Sequence, residues 1–159
     1  MREDDNVKTD VRKFLCCWVI VGLFLFSGCS RKVLKCSSSI TSYDEFASAN
    51  KSLKIVYKND SIYKLDFSTD FTFSEKTLSL DSNIVDSTLS TAGAEFEYLT
   101  GKSGVSYSTS KRDNGFVSRL KINFNKLDAD TKKKVHFINY KDSYVNMKRN
   151  LENNGYTCK

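Results

Sequence analysis

The sequence predicts an α+β domain, an antiparallel sheet of about five strands in the order βββ-α-ββ-α with helices packed on one face. Three observations carry this. Tyr63, Leu65, Phe67, Thr69, Phe71 and Phe73 alternate with Lys64, Asp66, Ser68, Asp70 and Thr72, the period of a strand with one dry and one wet face. From Leu80 to Leu99 the apolar residues recur at three and four instead. Beyond that, two more alternating runs flank Asp113-Asn114-Gly115, and Asn-Gly favours the φ > 0 pair of a type I′ hairpin turn.

The elements follow in order. A run from Lys32 to Ile40 supplies a first strand and places Cys36 in the sheet. Leu53, Ile55 and Tyr57 alternate in a second, and Lys58-Asn59-Asp60-Ser61 carries the turn into the third. Leu80, Ile84, Val85, Leu89, Ala92, Phe96 and Leu99 stripe a helix with Asp81 or Ser82 as N-cap and Gly101 past its end. Val105, Tyr107 and Thr109, then Phe116, Leu120, Ile122 and Phe124, form the second hairpin. Asp128 to Val135 suits a short helical turn. The last helix runs from about Asp142 to Asn153, with Tyr144, Met147 and Leu151 inward and Gly155 at C′. Tyr156-Thr157-Cys158 returns to the sheet.

The chain has 159 residues, 40% hydrophobic and 28% charged, which suits one packed domain and excludes whole-chain disorder. With no proline and seven glycines it is neither collagen-like nor a proline-rich linker. Its net charge of +6 is basic without reaching the extremes of nucleic-acid binders.

The N-terminus reads as a targeting segment. Phe14 to Phe26 is an unbroken apolar run after Arg12-Lys13, followed by the small residues Ser27-Gly28 and then Cys29. This ending resembles the lipobox of bacterial lipoprotein signals, with Phe26 where leucine is usual. The resemblance implies that residues 1–28 are a signal peptide and that Cys29 is lipidated and becomes the mature N-terminus. The alternative is an uncleaved anchor, for which the run is short of the roughly 20 residues of a spanning helix. Either way the domain faces outside the cytoplasm. The expected organisation is a signal peptide at 1–28, a lipidated N-terminus and short basic tether at 29–35, and a single domain at 36–159. Arg31, Lys32 and Lys35 form a membrane-proximal basic cluster beside the acyl anchor.

Cys16 and Cys17 leave with the signal, so Cys36 and Cys158 remain as a pair. In an exported chain an even remainder suggests a disulfide. Two buried free thiols are the other reading. Metal ligation is not expected, since two thiols and a distant His136 lack ligand spacing, and no cofactor motif is present.

The chain from Cys29 onward also resembles the YehR-like small lipoproteins of low-GC Gram-positive and related bacteria. The resemblance lies in the lipobox, the Leu34-Lys35-Cys36 strand, the Lys54 to Asp60 hairpin, Gly104-Val105, and the Tyr140-Lys-Asp-Ser helix leading to Gly155-Tyr-Thr-Cys-Lys159. It implies an extracytoplasmic α+β lipoprotein domain and supplies no catalytic residues.

Function is less legible. His136 has no nucleophile motif around it, the pairs Asp66/Asp70 and Asp128/Asp130 lack a hydrolytic or calcium-loop signature, and Gly101-Lys-Ser-Gly104 is not a P-loop. Export argues against nucleic acid as the target of Lys132-Lys133-Lys134. The expectation is therefore a non-enzymatic, membrane-tethered binding or structural module, held to the bilayer through acylated Cys29 and acting on an envelope protein or small ligand. A single-pocket carrier would need an apolar cavity of several hundred Å³ under the sheet. An envelope hydrolase would need two carboxylates about 5–9 Å apart in a cleft.

Overall fold

A computed structural model describes residues 31–41, 47–81 and 83–159. Residues 1–28, expected to be a signal peptide, and Cys29 lie outside the described residues. Six strands are described: β1 Arg31–Thr41, β2 Ala47–Lys58, β3 Ser61–Phe73, β4 Val105–Arg112, β5 Gly115–Asn123 and β6 Thr157–Cys158. They form one antiparallel sheet in the order β4-β5-β3-β2-β1-β6. The sixth strand, a two-residue edge beside β1, is one more than expected. Because β1 begins at Arg31, the expected tether of residues 29–35 gives up Arg31–Lys35 to the sheet.

Register shows why the alternation matters. Leu34, Ile55, Leu65, Ile122 and Val105 stand in one row across the sheet, and Cys36, Leu53, Phe67, Leu120 and Tyr107 in the next. Both rows face the core, joined there by Phe96, Leu99, Val135, Ile138 and Met147 from the other segments. A bulge between Val56 and Tyr57 breaks the period. It pairs Tyr57 with Ile62, so Ile62 takes the buried place expected for Tyr63. Tyr63 instead lies beside Arg31 and Lys64, whose charged groups approach its ring to 6.0 and 5.2 Å.

The hairpin turns exchange roles. Asn59 and Asp60, the two residues between β2 and β3, both take positive φ. The second turn is Asp113-Asn114, and Gly115 is already in β5 opposite Arg112, with no positive φ. Gly115 serves close approach instead: a Cβ there would run into the Phe71 carbonyl of β3.

The expected Leu80–Leu99 helix is divided. A short helix α1 (Glu75–Leu80) precedes it, N-capped by Ser74, and leaves Leu80 exposed. The next helix, α2 (Ile84–Ala94), starts from Asn83, whose N–H donates to Asp81 Oδ1 at 2.8 Å. Ser87 and Thr91 hydroxyls donate to the carbonyls of Ile84 and Ser87 within it, the local competition that makes these residues weak helix formers. The chain then tightens into a 3-10 turn at Glu97–Leu99. Helix α3 (Ala129–Lys134) is capped by Asp128, whose carboxylate accepts from the N–H and hydroxyl of Thr131, both at 2.7 Å. These bonds hold its carboxyl below the usual aspartate range.

Helix α4 (Tyr144–Asn153) starts at the N-cap Ser143. At its end Tyr156 N–H donates to Leu151 O and Gly155 N–H to Glu152 O, a Schellman motif with Gly155 at φ 81°. That motif aims the chain at β1, where Lys159 and Lys35 exchange both backbone bonds. Cys158 and Cys36 are the adjacent, non-hydrogen-bonded pair, the closest approach in an antiparallel ladder. Their Cα atoms are 4.1 Å apart and the sulfurs are bonded. The bridge spans 122 residues, a closure that loop entropy values at up to about 4–5 kcal/mol.

Candidate functional site

The helix side of the sheet holds a cleft of about 470 Å³. Its floor is the core face of β2 and β3 at Leu53, Leu65 and Phe67. One wall is Phe96, Phe137 and Ile138, and the other is Met147 and Leu151 of α4. The cleft exists because α2 with its 3-10 turn and α4 pack over different strands: Phe96 meets Tyr107 of β4 at 5.6 Å, while Tyr144 meets Tyr57 of β2 at 5.6 Å. Phe137 bridges toward the mouth. Its ring packs edge-on against Phe96 at 5.7 Å and stays 43% exposed, so an aromatic face is open to whatever enters.

The mouth is polar. Glu95, His136, Asn139, Asp142, Asn150 and Asn154 surround it. Asp142 is held by two amides, accepting from Asn139 Nδ2 at 2.7 Å and from Asn150 Nδ2 at 3.4 Å. Asn154 Nδ2 in turn donates to Asn150 O at 2.7 Å. Glu95 forms no ion pair among the described residues. Its charge joins burial in raising the Tyr98 and Tyr107 hydroxyls above the ordinary tyrosine value. Two carboxylates, fixed amides and an apolar interior suit a ligand with an apolar body and a hydrogen-bond-donating or cationic head.

The opposite face of the sheet carries charge. The row Lys35, Lys54, Asp66 and Lys121 crosses β1, β2, β3 and β5, and Lys159 adds to it beyond Lys35. Two hollows open there, one of about 460 Å³ ringed by Lys54, Lys64, Lys121 and Lys126, the other of about 620 Å³ beside Lys35 and Lys159.

The sequence-derived site residues distribute unevenly. Cys36 and Cys158 are brought together as a disulfide. Cys29 is outside the described residues. Arg31, Lys32 and Lys35 do not form one cluster, because a strand alternates its side chains. Arg31 and Lys35 point to the open face, while Lys32 turns to the other side and pairs with Asp60 at 3.1 Å. His136 is exposed, its ring 6.5 Å from that of Tyr98. Asp66 and Asp70 are the partners of Arg119 at 3.2 Å and Arg112 at 3.0 Å. The cleft's polar rim was not read from the sequence. Asn150 and Asn154, one helical turn apart beside the Met147/Leu151 stripe, were the available signal.

No protein-family model matches the chain, and no curated protein does. Among solved structures, an NMR structure of a protein from Streptococcus pneumoniae TIGR4 is 14% identical, covering 80% of this chain and 86% of that one, with a TM-score of 0.49. The NMR structure of the Escherichia coli YehR protein is 15% identical, covering 82% of this chain and 92% of that one, with a TM-score of 0.54. At that identity the likeness is one of fold: this chain has a YehR-like fold.

Proposed function

We propose that this chain is an extracytoplasmic lipoprotein, anchored in the cell membrane through Cys29, whose domain is a non-catalytic binding module. The helix-side cleft carries the binding part of this reading. It supplies the apolar cavity of several hundred Å³ under the sheet that a single-pocket carrier requires, and its size falls in the range of small-molecule sites. Its acidic, amide-lined mouth favours an apolar molecule with a cationic or donor head over an anionic one. The apolar run ending in Ser27-Gly28-Cys29 and the disulfide between Cys36 and Cys158 both support an exported chain.

Chemical-shift mapping of the purified protein tests the cleft. Titration with a short-chain alkylamine should move the signals of Phe137, Asn139 and Asn150, and an alkyl sulfate of equal length should move them far less. Glu95→Gln should narrow that difference. Shifts confined to other surfaces, or equal for both probes, would contradict the assignment.

A further inference from the structure

We infer that the open face of the sheet is a docking surface for the anionic lipid headgroups of the bilayer that holds the Cys29 anchor, a step that rests on the lipoprotein reading above. Three observations carry it. First, no described element covers this face: Lys35, Lys54, Lys64, Lys121 and Lys159 are all exposed along it. Second, its charge is one-sided. The carboxylates that the strands place here, Asp66 and Asp70, are already taken by Arg119 and Arg112. The five lysines have no ion-pair partner among the described residues. Third, the row places like charges side by side, a repulsion that an anionic surface would relieve. Lys35 and Lys54 lie directly opposite one another on β1 and β2, and Lys159, one residue past β6, faces Lys35 from the other side; like charges so placed repel.

A negatively charged leaflet matches this pattern better than a compact ligand does. From Lys159 to Lys121 the lysines span five adjacent chain segments, about 19 Å at the usual strand spacing, so they present a field rather than a single socket. The anchor delivers the face to the membrane. Arg31 belongs to the same face, and Cys29 is two residues before it, at most about 7 Å of chain. Val33, 40% exposed, stands between Arg31 and the lysine row and gives the contact an apolar point. The hollows around Lys54 offer concave space for headgroups on either side of it.

Amine acylation read by mass spectrometry tests the inference on the full lipidated protein. The protein is reconstituted in phosphatidylcholine vesicles, with or without phosphatidylglycerol. The anionic lipid should slow acylation of Lys54 and Lys121 several-fold. Lys111 and Lys133, which pair elsewhere, should be unaffected, and raised salt should erase the protection. Lys54→Gln with Lys121→Gln should remove the lipid dependence at Lys35 and Lys159. Equal rates in both vesicles would overturn the inference. So would protection in native envelopes that protein-free anionic vesicles fail to reproduce, which would assign the face to an acidic protein. Sedimentation with neutral vesicles reports the Cys29 anchor separately, so failure of the anchor and failure of the face are read apart.

Discussion

The Tyr57 hydroxyl is buried with no hydrogen-bond partner among the described residues. The side chain is held for its ring, which fills the core and meets Tyr144 edge-on. A buried hydroxyl without a partner costs stability, so Tyr57→Phe should leave stability unchanged or raise it by about 1 kcal/mol in urea unfolding. A loss of that size would mean that the hydroxyl has found a partner. Burial, then the nearby Asp142 charge, pushes this phenol above its ordinary value of 10.0. Burial also raises Tyr98, Tyr107 and Tyr156. Above about pH 10 the unfolded chain therefore releases tyrosine protons that the fold still holds. Stability should be indifferent to these groups below that pH and fall steadily above it. Denaturant midpoints measured across the alkaline range check this, and a rising midpoint there would contradict it.

Elements differ in how plainly the sequence announces them. The strands were legible because each buried residue has a neighbour at i+2, and the rows through Leu34 and Cys36 follow from that alternation. The one slip, Tyr63 for Ile62, comes from a bulge, which depends on the partner strand rather than on local pattern. The single helix expected from Leu80 to Leu99 failed for a related reason. Apolar spacing continues across Asp81 and Asn83, but their backbone bonds end one helix and begin another. Helix α1 buries no residue, so it left no periodic signal. Gly115 was read for its turn and serves instead for contact with β3. Gly115→Ala should push β5 from the Phe71 carbonyl and cost about 3 kcal/mol, seen as a lowered unfolding midpoint. No change would show that the two strands can separate freely at that point.

At the scale of the molecule, the sheet divides two jobs. Its helix side closes a core around the cleft, and its other side stays open and cationic. The cleft was the least legible part, because Glu95 and Asn150 meet at one mouth from segments distant in the sequence. The proposed targeting segment is the reverse: a contiguous run legible from residue types alone, with the proposed lipidation falling on a single atom, Cys29 Sγ. The proposed docking of the sheet to lipid depends on that atom, because the Cys29 anchor is what would hold the domain beside the bilayer. The most direct test of the anchor is the intact mass of the protein isolated from its own membranes. The account predicts a chain beginning at Cys29, heavier by a diacylglyceryl group and with Cys36 and Cys158 resistant to alkylation. A chain that keeps residues 1–28 and an unmodified Cys29 thiol would contradict it.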